Sequence, residues 1–317
     1  MNELQAFLRR NGVLVIFLGL VLLFGFTVER FLTVPNLLNV ARQTSIVAIV
    51  SVGMTFTILT GGIDLSVGSL VAMTGAVAAL ASAQWGWPLP AVFLAALLSG
   101  AAAGALSGLL VAYGGLPPFV ATLAMLAAAR GATLVITDAR PITGIGPALR
   151  AVGTGATLGV PNPVWILAVV SLVAWGVLGH TRFGRHLYAL GGNEETTRLA
   201  GIRVNRMKVA VYGISGALAG LAGLILTGRL NSAQPTAGVA MELEAIAAVV
   251  LGGTSLAGGS GGVGGSIVGA LIMGVLSNGL NLAGVPSYYQ QIIQGAVIVL
   301  AVVLDSLTRR AGPLRAG

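Results

Sequence analysis

All-α, polytopic and membrane-embedded is the fold class this sequence predicts, with about ten transmembrane helices, some short or broken, and both termini in the cytoplasm. Three observations carry it. The 317-residue chain is 56% hydrophobic and only 8% charged, whereas a soluble protein carries about 25% charge, so polar side chains are too few to coat a water-facing surface. The apolar residues fall in runs that approach the roughly 20 residues of one helical crossing. The basic residues lie between those runs and favour one side. The 47 glycines show no period, which excludes collagen and suits the close interfaces of packed membrane helices. Residues 1–317 read as a single transmembrane domain.

The first apolar run, 12–31, follows Arg9 and Arg10 but ends Phe24-Gly25-Phe26-Thr27-Val28-Glu29-Arg30. No small-x-small cleavage site is present there, so the run is an uncleaved span and not a signal peptide. Runs at 43–60 and 64–83 follow, divided by Gly61 and Gly62, and then continuous runs at 89–112, 117–136 and 163–180. Within the fourth, Gly100, Gly104 and Gly108 lie on one helix face and predict a packing seam. The remaining runs are 207–228, 243–257, 265–284 and 289–305. The one at 243–257 is short and ends in glycines, as a half-helix or re-entrant segment would.

Two connections are long: a Pro- and Gly-rich one at about 137–162 and a charged one at about 181–206. With the N-terminus inside and ten alternating spans, eleven of the 17 Lys and Arg residues fall on the cytoplasmic side, among them Arg309, Arg310 and Arg315. Arg30, Arg42, Arg140, Arg150 and Arg229 fall outside, and Arg130 falls within the fifth span. That bias supports the orientation. Trp85, Trp87 and Trp165 lie near span ends, at headgroup level.

Catalytic chemistry finds little here. There is no cysteine, and His180 and His186 are the only histidines, which leaves no thiolate nucleophile or cysteine metal site. Gly258-Gly259-Ser260-Gly261-Gly262 meets the nucleophile-elbow pattern trivially, without the strand and histidine it needs. Gly259, Gly261 and Gly264 meet the dinucleotide pattern, but the next acid is Asp305. The only lysine, Lys208, is not in a Gly-Lys-Ser/Thr context, so a Walker A site is absent. If ATP drives this protein, a second chain must bind it. The basic residues form no clustered face with exposed aromatics, so nucleic acid is not a partner.

Two stretches carry the functional expectations. Gly61-Gly62-Ile63-Asp64-Leu65-Ser66 breaks the helix between two spans and contains a lone acid. An acid at a bilayer centre costs roughly 2.5–3.5 kcal/mol and invites a functional reading. Placed at the inner end of the second span, Asp64 suits an N-cap on the N–H groups of Leu65, Ser66 or Val67. A gating contact with Arg130 is the alternative. The pattern Gly61-Gly62-x-x-Leu65-x-x-Gly68-Ser69 is echoed by Gly252-Gly253-x-x-Leu256-x-x-Gly259-Ser260, as matching breaks in a repeat would be. In the inner loop, Asn193 is a helix N-cap, Glu194 and Glu195 fall in the first turn, and Gly201 terminates. A helix over 194–200 is too short to stand alone in water and should dock on a partner or the membrane face.

The stretches GMTFTILTGGIDLSVGSLVAMTGA at 53–76, GGNEETTRLAGIRV at 191–204 and ELEAIAAVVLGGTSLAGGSGGVGGSIVGALIMGVLSNGLNLAGV at 242–285 resemble the membrane permease subunit of ribose-type (monosaccharide) ABC importers. The resemblance spans nearly the whole chain. It implies about ten spans and two permease subunits, identical or different, forming one pathway. It also implies cytoplasmic ATP-binding subunits that hold the ATP and Mg, and a secreted sugar-binding protein, in the inner membrane of a bacterium. No cofactor is implied in this chain, and no enzymatic activity. Permeases for nucleosides or branched-chain amino acids are the related alternatives, and a stand-alone secondary transporter is the unrelated one.

By that resemblance the inner loop is the helix that couples to the ATPase, mapped onto Asn193, Glu194, Glu195, Arg198, Leu199, Ala200, Gly201 and Ile202. Leu199 and Ile202 would enter the partner, with Arg198 and the glutamates at the rim. Thr196 and Thr197 stand where small apolar residues are expected. Gly61, Gly62, Asp64, Ser66, Arg130, Asn278 and Asn281 are the pathway or gate candidates; the two asparagines, with Gln290, Gln291 and Gln294, would otherwise be polar links between helices. Arg30, Arg140, Arg150 and Arg229 could receive carboxylates of the binding protein or simply anchor the interface. Glu242 and Glu244 read as first-turn acids of the eighth span or as part of an outer mouth.

Overall fold

The computed structural model describes residues 3–310. Arg315, counted above on the inner side, lies outside them, as do the side chains of Arg9, Arg10, Arg309 and Arg310. The elements run α1 (Glu3–Thr27), α2 (Val34–Leu59), α3 (Val67–Ala83), α4 (Leu89–Ala112), α5 (Pro118–Thr137), α6 (Pro147–Thr154), β1 (Ala156–Thr157) and β2 (Val160–Pro161). They continue with α7 (Asn162–His180), α8 (Arg182–Gly192), α9 (Glu194–Leu199), α10 (Val204–Leu230), α11 (Met241–Leu251), α12 (Val263–Leu282) and α13 (Ser287–Arg310). A helix stands at each of the ten expected runs. Proline opens α2, α4, α5, α6 and α7, where its fixed φ fits and its missing N–H costs nothing.

The protein is a multi-pass membrane protein. Among the described residues α2, α4, α5, α7, α10 and α12 are long and apolar enough to cross a bilayer, and Gly12–Thr27 and α3 are apolar but shorter. Two of the expected runs need correction. The third helix begins at Val67 and not at Asp64, because residues 61–66 are not helical. The eighth, α11, has 11 residues and extends about 16 Å, half the roughly 30 Å of a hydrocarbon core. It is the half-helix its terminal glycines suggested.

α2 and α10 form the centre, burying Ile49, Met54 and Ile58 of the one and Tyr212, Leu224 and Ile225 of the other. α4, α5 and α7 turn Leu94, Leu98, Val120 and Leu172 outward, as helices facing lipid or a membrane partner do. The predicted glycine seam forms: Gly100 packs on Gly216, Gly104 on the Tyr212 carbonyl, and Gly108 on Val209.

The two ends of the bundle differ. At one, the 137–162 connection folds over the helices as α6 and the β1–β2 hairpin. Ile142 and Ala233 exchange backbone hydrogen bonds of 3.0 and 2.9 Å there, and Gly153 packs against Gly228. At the other end lie α8, α9 and the turn over 252–262. Trp85, Trp87 and Trp165 are exposed at the α6 end, and the Trp165 Nε1 donates to the Thr157 carbonyl at 3.2 Å.

Candidate functional site

After Leu59 the chain turns at Gly61, whose φ of +76° is the left-handed region that glycine enters without strain. Residues 62–64 then run back into the bundle without helical hydrogen bonds. Asp64 sits at the end of this run and is 0% exposed. Its Oδ1 accepts from the Ser66 N–H at 3.0 Å and the Ser66 hydroxyl at 2.6 Å, and its Oδ2 accepts from the Ser215 hydroxyl of α10 at 2.8 Å. The carboxylate therefore braces the turn ahead of α3 and ties it to α10, while the N-cap of α3 is Ser66 and not Asp64 as expected.

Its depth differs from the expectation. Ser215 adjoins Gly216, which packs on Gly100, halfway along α4. Asp64 is thus near the mid-level of the bundle and not at the inner end of α2. Re-entry of residues 62–66 accounts for this, since it carries the chain inward before α3 begins. The pairing with Arg130 is not formed: among the described residues the ion pairs are Glu194 with Arg198 and with Lys208.

Arg130 instead holds the second break, the 231–240 connection between α10 and α11. Its Nη1 donates to the carbonyls of Pro235 at 2.7 Å and Ala237 at 2.9 Å, and Glu242 lies close enough to interact with its charge. Irregular backbone at membrane depth must find its hydrogen bonds inside the protein, and a guanidinium supplies several donors on one rigid fork. Gly238 of this connection packs directly on Gly68 of α3, so the two breaks meet in the bundle.

At the α8–α9 end, the Asn193 Oδ1 accepts from the Thr196 N–H at 2.8 Å, the expected cap. α9 ends at Leu199, one residue earlier than predicted, with Gly201 at φ +82° just beyond. Leu199 is 83% exposed. Ile202 is half-buried: it packs against the cluster that contains Leu187 and Val204, and it also lines an open surface recess with Ala200, Arg203 and Arg206. Thr197 is buried, its hydroxyl donating to the Asn193 carbonyl at 2.7 Å, which explains a small polar residue at that position. Arg198 reaches Glu194 at 2.8 Å, and the Lys208 Nζ donates to both Glu194 oxygens at 2.9 and 2.7 Å.

The echoing segments meet at this end as well. The Gly259 N–H donates to the Leu59 carbonyl at 3.0 Å, and the Tyr188 hydroxyl to the Gly261 carbonyl at 2.9 Å. Gly191 lies against Leu59 and Gly259. The breaks are not alike in detail, since the left-handed residue of the first glycine pair is Gly61 in one and Gly253 in the other.

A family described as "Branched-chain amino acid transport system / permease component" matches residues 36–302. The ribose import permease protein RbsC of Escherichia coli K12 is 53% identical over 306 residues, covering 95% of each chain. Its counterpart in Bacillus subtilis 168 is 48% identical over 294 residues and 91% of each. The xylose transport system permease protein XylH of Escherichia coli K12 is 36% identical, covering 97% of this chain and 93% of that one. This chain belongs to that permease family. No solved structure matches it.

The permease's other predicted residues are scattered. Asn278 exchanges amide hydrogen bonds of 2.9 and 3.0 Å with Asn36, a link between α12 and α2. Asn281 is exposed at the end of α12. The Gln294 amide of α13 donates to Ser277 of α12 at 3.0 Å and to Glu244 of α11 at 3.4 Å. Arg30, Arg140 and Arg150 are exposed at the α6 end of the permease, whereas Arg229 is half-buried with its Nη2 3.3 Å from Gln43 Oε1.

Ser215, Tyr212 and the Pro235 and Ala237 carbonyls escaped the sequence reading. Ser215 stands in Gly213-Ile214-Ser215-Gly216, which reads as a small-residue packing surface, and backbone acceptors carry no sequence signal at all. Arg130→Met should free the 231–240 connection of the permease. Hydrogen exchange there should rise by about two to four orders of magnitude, as two hydrogen bonds from a charged group are worth about 1.5–3 kcal/mol each, and Arg130→Lys should restore part of the protection. Unchanged exchange in the methionine variant would show that Arg130 does not pin the break.

Proposed function

We propose that this permease is the membrane subunit of an ATP-driven importer for a ribose-like monosaccharide. In that reading ten segments cross the inner membrane of a bacterium, both termini are cytoplasmic, and residues 1–317 form one transmembrane domain. The observation that carries it is 53% identity over 95% of the chain to a ribose import permease. The capped helix α9 with its exposed Leu199 supports an ATP-binding partner at that end, and ATP and Mg belong to that partner. Two permease subunits, alike or different, enclose the pathway, and a secreted binding protein delivers sugar at the α6 end, where Arg30, Arg140 and Arg150 are exposed. The α8–α9 end is then cytoplasmic.

In this mechanism the ATPase moves α9, and the motion reaches the helix breaks at Asp64 and Gly238, which are the gate. The sugar reading is preferred over branched-chain amino acids because the ribose and xylose permeases match nearly end to end. Vesicles holding the permease with its ATP-binding subunit and binding protein should take up ribose only with internal ATP. Uptake of leucine and not ribose would reverse the substrate. Deleting 191–202 should leave membrane insertion intact while recovery of the ATP-binding subunit falls to background. Full co-purification would remove α9 from the docking role.

A further inference from the structure

We propose that the ion pair between Glu194 and Lys208 is the strut that makes α9 and α10 move as one body, so that Lys208 positions the coupling helix for transport. The proposal rests on α9 being the element that engages the ATPase. α9 is joined to α10 only through residues 200–203, which are not helical. Gly201 in this link has no side-chain neighbour around the position a Cβ would occupy. Ile202 rests the far side of the link on the chain's core, so the freedom to bend lies at Gly201. A push on α9 would be partly absorbed there unless a second attachment closed the triangle.

Glu194 supplies that attachment from the first residue of α9. Lys208 stands in the second turn of α10, and its Nζ is held by both carboxylate oxygens at 2.9 and 2.7 Å. The lysine side chain is 19% exposed and that of Glu194 39%, so the pair is screened less on the lysine side than a fully exposed pair would be. The Arg198 contact to the same carboxylate lies within α9 and connects it to nothing else.

What α10 then moves is set by its packing. Four residues beyond Lys208, Tyr212 packs through its backbone on Gly104 of α4. Seven residues beyond, Ser215 binds Asp64. Displacement of α9 is thereby delivered to the α4–α10 pair and to the α2–α3 break. The strut also walls a cavity of about 240 Å³ between Thr60, Gly62, Tyr212, Glu194 and Lys208, which leaves room for that break to shift.

The chain has no cysteine, so the strut can be rebuilt covalently. In vesicles containing the full importer, Lys208→Met should lower the sugar carried per ATP hydrolysed by roughly 2- to 30-fold, the range expected of a residue within a coupling network. The complex should still co-purify at wild-type yield, and Lys208→Arg should keep the ratio. The E194C/K208C pair should be uncoupled, and a short bifunctional thiol reagent should restore it where a monofunctional one does not. An unchanged ratio in Lys208→Met, or a cross-linked pair that stays uncoupled in an assembled complex, would overturn the strut. Loss of co-purification in Lys208→Met would overturn it too, because the pair would then shape the docking surface. None of these results resembles failure of the coupling assignment itself, which is retention of the ATPase after deletion of 191–202.

Discussion

Replacing Asp64 with leucine should abolish uptake and sharply lower the amount of folded permease extracted, whereas Asp64→Asn should keep most of both. The carboxylate takes three donors in a site with no access to solvent: the Ser66 N–H, the Ser66 hydroxyl and the Ser215 hydroxyl. The hydroxyls can turn to nearby helix carbonyls when the acceptor is lost. The Ser66 N–H cannot, and a buried orphan of this kind costs about 1–3 kcal/mol. Leucine also cuts the tie between the α2–α3 break and α10, so α3 loses its fixed starting point. Against a total stability of about 5–15 kcal/mol this is a large fraction, enough to lower the folded yield and to release the break in what remains folded. Asparagine keeps an acceptor for the Ser66 N–H, and its amide can donate to Ser215. Ser215→Ala should fall between the two. Melting in detergent beside uptake in vesicles would check the series. Wild-type behaviour of Asp64→Leu would mean that the hydrogen bonds around the break carry neither stability nor transport.

That series also marks where sequence reading stopped. The break at Gly61, the acid's hold on the Ser66 N–H, the half-helix at α11 and the Asn193 cap are local facts, and each follows from residues within one or two turns. The helices follow from apolar run length in the same way. Asp64's second partner lies 151 positions away, and no periodicity points to it. The depth of Asp64 differs from the sequence expectation for a related reason. Apolar run length places the break at a helix end, but only the path of residues 62–66 back into the bundle decides how deep the acid goes. The sequence places Arg130 within the fifth span and offers Asp64 as its contact. Its partners are two carbonyls, and every residue has a carbonyl, so nothing in the sequence could name them. Ile202, an apolar residue beside an exposed helix, packs partly on the chain's own core and partly lines an open recess, a division that residue type alone does not reveal.

The second large effect should come from the α4–α10 seam. Gly216→Ala should lower the melting temperature of the permease and Gly131→Ala should not, although each adds one methyl group to a helix. At Gly216 the new carbon would overlap the carbonyl of Gly100, and at Gly100 it would overlap the carbonyl of Gly216. The obstacle is backbone on both sides, so no rotamer change relieves it and the helices must separate. Overpacking in a well-filled interior costs about 1–3 kcal/mol, and separation also loosens the neighbouring contacts of Gly104 and Gly220 along the seam. At Gly131 of α5 nothing lies within 4 Å of the added carbon, and alanine there should gain roughly the 0.5–1 kcal/mol by which it favours a helix over glycine. The two variants should therefore shift in opposite directions. Transport should follow the seam as well, because a lever acting on α10 reaches α4 only while their backbones touch. Equal melting temperatures would mean that α4 and α10 stand further apart than the close approach of Gly100 and Gly216 requires, and the two helices could not then act as one rigid pair.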